Sequence, residues 1–172
     1  MRRARGAIPV AAVVAAVIGI TGRGAVASSV ATAAPAVEWR SDGRADVRLA
    51  DAKGKVVLVD FWASWCPPCK ASFPALDVIQ RDYRARGVEV IAVNVDEQRK
   101  DDDAFLAAHP NQLLVVFDPH GESPKAFKVR GMPSSFVIDR RGEIRYTHEG
   151  YSGGVDAAYR RELDALVAEP VR

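Results

Sequence analysis

Val57-Leu58-Val59-Asp60-Phe61-Trp62-Ala63-Ser64-Trp65-Cys66-Pro67-Pro68-Cys69-Lys70 is the stretch that decides the fold. It starts inside the apolar run Val56 to Val59, part of a buried strand expected over Val56 to Phe61, and reaches the only two cysteines of the chain, set two residues apart. Downstream, Pro68 to Arg86 carries helical periodicity, so the cysteines stand where a strand hands over to a helix. A disulfide between such near neighbours closes a tiny loop, and loop-closure stabilisation grows with loop length. A structural zinc site needs four ligands, yet His109, His120 and His148 are scattered and there is no third cysteine. The pair therefore reads as a reactive dithiol.

Outward from this unit, strand-length apolar runs alternate with helix-period segments. Val88 to Val95 is expected as a second buried strand, Asp101 to Ala108 as a short helix, and Leu113 to Phe117 as a further strand. Ser123 to Phe127 reads as a short helix, Ser135 to Asp139 as a strand, and Arg140-Arg141-Gly142 as a turn into the strand Glu143 to His148. Alternation of strand and helix implies a parallel centre, and the last two strands an antiparallel hairpin. Tyr159, Leu163, Leu166 and Val167 share one face of a C-terminal helix that should cover the sheet. Phe105, Phe117, Phe127 and Phe136 are expected in the core.

The first 27 residues read as a secretory signal. Arg2, Arg3 and Arg5 form a basic region, Ile8 to Ile20 is apolar but short for a bilayer span, and Ala25-Val26-Ala27 offers a cleavage site, with Ala31-Thr32-Ala33 as a second; an uncleaved anchor is the alternative. Residues 28–37, rich in Ala, Ser, Thr and Pro, are expected as a flexible lead, and residues 38–172 as one α/β domain. Cleavage after Ala27 removes four arginines and no acids, so the formal charge of +2 becomes about −2, which argues against a nucleic-acid partner. The site is then expected outside the cytoplasm, in the periplasm, or secreted or at the outer face of the membrane, where disulfides persist unless something reduces them.

Val57 to Lys70, followed by Phe73-Pro74 and then by Gly131-Met132-Pro133-Ser134-Ser135-Phe136-Val137-Ile138-Asp139, resembles the thioredoxin superfamily. The pattern is most similar to its exported TlpA/ResA-like thiol-disulfide oxidoreductases, over about Val47 to Glu169. The resemblance implies a thioredoxin fold, a central mixed β-sheet flanked by helices. It further implies that Asn94 to Phe117 carries the added helix and strand of the TlpA/ResA-like branch. Peroxiredoxin chemistry is disfavoured, because Ala63 stands where it requires a threonine.

The residues assign the chemistry asymmetrically. Cys66, at the helix N-terminus, meets unpaired amides and the positive end of the dipole and is the nucleophile; Cys69, one turn on, is the resolving thiol. Pro67 and Pro68 start the helix rigidly and withhold two N–H donors from the Cys66 thiolate, which favours the reducing direction. By the resemblance, Asp60 is a buried acid that accepts the Cys69 proton, and Pro133 is a cis-proline whose loop presents Met132 backbone to substrate. Asp60 replaces the neutral amide common in ResA-like members, and Ser72 replaces their frequent glutamate, so proton handling is expected to follow thioredoxin. Trp62 and Trp65 are expected around the rim, with Trp65, Pro67, Pro68 and Met132 contacting substrate, and Pro74 as a kink in the helix.

These readings predict a reductase of exported protein disulfides, with cytochrome c maturation the leading client and an upstream membrane electron donor. No metal or organic cofactor is required. A disulfide-forming oxidant is the same chemistry reversed. A copper-binding chaperone using Cys66, Cys69 and a histidine is a third reading, and it lacks the Cys-X-X-X-Cys spacing usual in such proteins.

Overall fold

The structure, a computed structural model, describes residues 31–39 and 46–170. The secretory-signal and cleavage readings of residues 1–27 lie outside the described residues. Among the described residues the strands are β1 (Thr32–Ala33), β2 (Glu38–Trp39), β3 (Val47–Arg48), β4 (Val56–Trp62), β5 (Val88–Asn94), β6 (Leu114–Phe117), β7 (Ser134–Ile138) and β8 (Glu143–Glu149). The helices are α1 (Pro67–Tyr83), α2 (Arg99–Ala108), α3 (Glu122–Ala126) and α4 (Val155–Ala168). Six strands form one mixed sheet in the order β1-β8-β7-β4-β5-β6, while β2 and β3 pair separately.

The sheet grows from β4. All seven of its residues are buried, which suits a central strand covered on both faces. It pairs in parallel with β5 and antiparallel with β7, placing Asp60 between Ala92 and Ser135. The added helix and strand are α2 and β6, with β6 parallel to β5 at the sheet edge. Strand alternation divides the core into two layers. Val56, Leu58 and Trp62 face a cluster with Cys69, Phe73, Phe105, Tyr159 and Leu163, whereas Val57, Val59 and Phe61 face Trp39, Phe127 and Phe136. Helices α1, α2 and α4 thus cover one face, and α3 with the N-terminal segment covers the other. The β7–β8 turn closes through Gly142 at φ 86°, in the left-handed region that glycine adopts at least cost.

Three expectations need correction. The flexible lead is docked from Thr32 onward: Thr32 and Ala33 pair with Ile144 and Glu143, and Ala34 and Val37 pack on the second cluster. The outer edge of β8 would otherwise carry unpaired backbone groups, and the small residues of the lead fit against it. Trp62 is not at the rim but wholly buried, its ring 4.9 Å from both Phe73 and Phe105. Its place on β4 points it to the core, the same alternation that buries Leu58. Phe117 is half-buried, with the Arg99 guanidinium over its ring at 5.0 Å. The elements expected from Val56 onward agree to within two residues, except that Arg84–Arg86 forms a separate 3-10 turn after α1, whereas β2, β3 and the 3-10 turn Leu49–Ala52 were not anticipated.

Candidate active site

Cys66 is the N-cap residue of α1, and its Sγ accepts the Cys69 N–H at 3.3 Å. Pro67 and Pro68 occupy the intervening first-turn positions and have no N–H, so Cys69 supplies the amide that reaches this sulfur. The two sulfurs form a disulfide. Cys66 retains 4% exposure and Cys69 none, an asymmetry set by the helix, which turns Cys69 into the core beside Phe73. Trp65 stands 65% exposed just before the pair, and Pro67 and Pro68 are exposed just after Cys66. Ser72 donates to the Cys69 carbonyl at 2.9 Å.

The β4–α1 loop is fastened from below. The Asp96 carboxylate accepts the Ser64 N–H through both oxygens at 3.1 Å and the Asn94 side-chain amide at 2.9 Å, while Asn94 Oδ1 accepts the Asp96 N–H. Asn94 and Asp96 are both buried. Sequence reasoning passed over them, although two polar residues closing an otherwise apolar strand, VEVIAVNVD, were the available signal. Asp96→Ala strands the buried Asn94 side-chain amide as well as the part-buried Ser64 N–H and is expected to lower stability by ~1–3 kcal/mol, the cost of an unsatisfied buried donor. Urea unfolding should show a lower midpoint at unchanged slope.

The Met132–Pro133 peptide is cis. Ser134 pairs with Phe61, so Pro133 sits beside the C-terminal end of β4, the end from which the cysteine loop departs. Met132 is half-buried against the cluster that holds Cys66 and Cys69. The structure therefore brings Met132 and Pro133 to the same end of the sheet as Trp65, Pro67 and Pro68.

Asp60 is completely buried, on the face of β4 that fronts this same cluster. Its Oδ1 accepts the Ser135 hydroxyl at 2.7 Å, and Oδ2 has no hydrogen-bond partner among the described residues. Burial pushes its carboxyl from 3.8 up to about 7, with the Ser135 hydrogen bond opposing the rise. A carboxyl in that range exchanges protons near neutral pH. Ser135 in turn lies 2.6 Å from the Tyr159 hydroxyl. Neither hydroxyl was singled out from sequence: Tyr159 was expected as apolar packing, and Ser135 only as part of a strand.

Residues 29–163 match the family model described as Redoxin. The chain belongs to the Redoxin family. Among the family's relatives, the thiol-disulfide oxidoreductase ResA of Oceanobacillus iheyensis is 36% identical over 104 residues, covering 60% of this chain and 54% of that protein. The chain thus spans about half the length of the ResA relatives it matches. The thioredoxin-like protein YneN of Bacillus subtilis is 32% identical over 119 residues, 67% of this chain and 69% of that one. A solved structure, a putative thiol:disulfide interchange protein DsbE from Chlorobium tepidum, superposes with TM-score 0.77 at 39% identity, covering 80% of this chain and 97% of that one. The fold of this Redoxin member is accordingly the thioredoxin fold. Among the described residues no helix is long and apolar enough to cross a membrane, and no three His, Cys, Asp or Glu side chains gather into a metal-binding group.

Proposed function

We propose that this Redoxin-family chain is an extracytoplasmic thiol-disulfide oxidoreductase that reduces disulfides in exported proteins. The observation that carries the reading is the Cys66–Cys69 disulfide at the N-terminus of α1, the Cys66 sulfur accepting the Cys69 amide beside the exposed Trp65, Pro67 and Pro68 and retaining slight exposure, Cys69 having none. In the dithiol form, the Cys66 thiolate attacks a client disulfide; one client sulfur leaves as a thiol and the other is held in a mixed disulfide. Asp60 takes the Cys69 proton, the Cys69 thiolate attacks the Cys66 sulfur, and the second client thiol departs. Two electrons pass to the client, leaving Cys66–Cys69 oxidised until an upstream membrane donor reduces it. Trp65, Pro67, Pro68 and the Met132–Pro133 segment form the platform for the client chain, and proteins matured with haem, such as c-type cytochromes, are the leading client class.

Direction follows from the donor count. A thiolate at a helix start is stabilised by first-turn amides, and here two of the three positions are prolines. Less thiolate stabilisation makes the dithiol give up its electrons more readily. Equilibration against glutathione and dithiothreitol couples should give a potential in or below the glutaredoxin range, about −200 to −230 mV. A potential near about −120 mV, that of a strong disulfide-forming oxidant, would overturn the reductase direction.

A further inference from the structure

A buried carboxylate that must be recharged in every catalytic cycle needs a donor that stays in place, and lysine or arginine does not supply it here. In register across three strands stand Asp60 of β4, Ser135 of β7 and His148 of β8, with Ala92 of β5 on the far side of Asp60. Over this row lies Tyr159 of α4, wholly buried, its hydroxyl on Ser135 and its ring edge-on to His148 at 4.9 Å. His148 Nε2 is held by Glu162 at 2.8 Å, and the hydrogen bond to the Asp60 carboxyl comes from Ser135, not from His148.

The proton count fixes the direction of the chain. A serine hydroxyl has one hydrogen to give. When Asp60 is ionised, Ser135 gives it to Asp60 Oδ1, so in that state the phenol is the donor in the 2.6 Å contact with Tyr159. Burial first, and then the Asp60 carboxylate, push the Tyr159 phenol above its ordinary range, so it remains a neutral donor.

We infer that Ser135 and Tyr159 are positioning residues for Asp60: Tyr159 donates to Ser135, Ser135 donates to Asp60 Oδ1, and this two-hydroxyl chain holds the carboxylate charged and fixed, leaving Oδ2 to take the Cys69 proton. The inference rests on the reading of Asp60 as the base for Cys69. Each hydroxyl favours the charged carboxylate, and Tyr159 acts only through Ser135. The other titratable groups around the row are His148 from β8, and Glu162, Asp156 and the Asp156-bound Tyr151 on and beside α4, joined in the dithiol form by Cys66 and Cys69 from α1. β5 contributes Ala92, which does not titrate.

The test is a carbon-13 carboxyl titration of Asp60 in the full chain, the resonance identified by its loss in Asp60→Asn. Ser135→Ala is expected to raise the midpoint by about one pH unit, the scale of one hydrogen bond to a charged group. Tyr159→Phe raises it by less, adds nothing in the Ser135→Ala background, and Ser135→Thr returns it toward wild type. Unmoved midpoints in the single variants, or shifts that add in the double variant, overturn the inference. Should Ser135→Ala fail to fold, Tyr159→Phe and Ser135→Thr decide: a raised midpoint in the first with a near-wild-type one in the second supports the chain, and an unmoved midpoint in the first overturns it. The pH profile of mixed-disulfide resolution separates the two levels. If Asp60→Asn leaves that profile unchanged, the base reading fails; if it flattens the profile while Ser135→Ala and Tyr159→Phe do not move it, only the hydroxyl chain fails.

Discussion

Cys66→Ser is expected to reduce the turnover of disulfide substrates to the uncatalysed background, while Cys69→Ser should complete the first exchange at near wild-type rate and then stop. The difference follows from position on α1. Cys66 caps the helix with its sulfur on the Cys69 amide, at a site where charge on sulfur is favoured. Serine there offers a hydroxyl that does not ionise near neutral pH and forms no mixed disulfide. Cys69 has no exposed surface and cannot substitute as the attacking group. A multiple-turnover assay with a fluorogenic disulfide peptide and a supplied thiol reductant separates the steps, because the first exchange gives a burst and completed cycles a steady rate. Unfolding midpoints of both variants and of the reduced wild type should agree, since none of the three holds the disulfide, and the oxidised wild type should be the more stable by only about 2 kcal/mol, the scale of so short a loop. An active Cys66→Ser protein would remove Cys66 from the role of nucleophile.

Asp60→Asn is expected to stabilise the fold at alkaline pH and to slow catalysis at the same time. Burial raises the native carboxyl to about 7, whereas in the unfolded chain it titrates near ~3.9. Between those values the native state binds a proton that the unfolded state has released, so stability falls as pH rises. The contribution is fully present below about pH 4, is lost through about pH 7, and amounts to roughly 4 kcal/mol across the window. Asparagine has no proton to lose. At pH 8 the variant should exceed wild type by a few kcal/mol in urea unfolding, and the two should converge at pH 4. Resolution of the mixed disulfide should fall by about 10²-fold or more, the usual contribution of a placed general base. Equal pH dependence of stability in the two proteins would show that Asp60 is ionised at neutral pH like a surface carboxylate.

Much of the architecture was legible because local signals agreed. The apolar residues of β4, broken only by Asp60, the helix periodicity after Pro67 and the Gly142 turn each point to one element, and tertiary packing overrides none of them. Trp62 was misplaced for the opposite reason: its neighbours along the chain are site residues, and only the two-residue alternation of the strand turns its ring inward. The docking of Thr32–Ala33 on β8 leaves no trace in composition, since a backbone ladder is insensitive to the side chains that flank it. Within the site, the cysteines and the cis-proline announce themselves by motif. Asp96 at Ser64, and Ser135 at Asp60, are partners separated by 32 and 75 residues, and such pairings exist only once strand register is known.

The most direct measurement is mass-spectrometric mapping of the mixed disulfide that Cys69→Ser accumulates with a disulfide-bonded peptide. The account predicts a single adduct on Cys66, stable to further exchange and absent from the Cys66→Ser, Cys69→Ser double variant. Failure of Cys69→Ser to form any adduct, or accumulation on Cys69 in Cys66→Ser at a comparable rate, would contradict it.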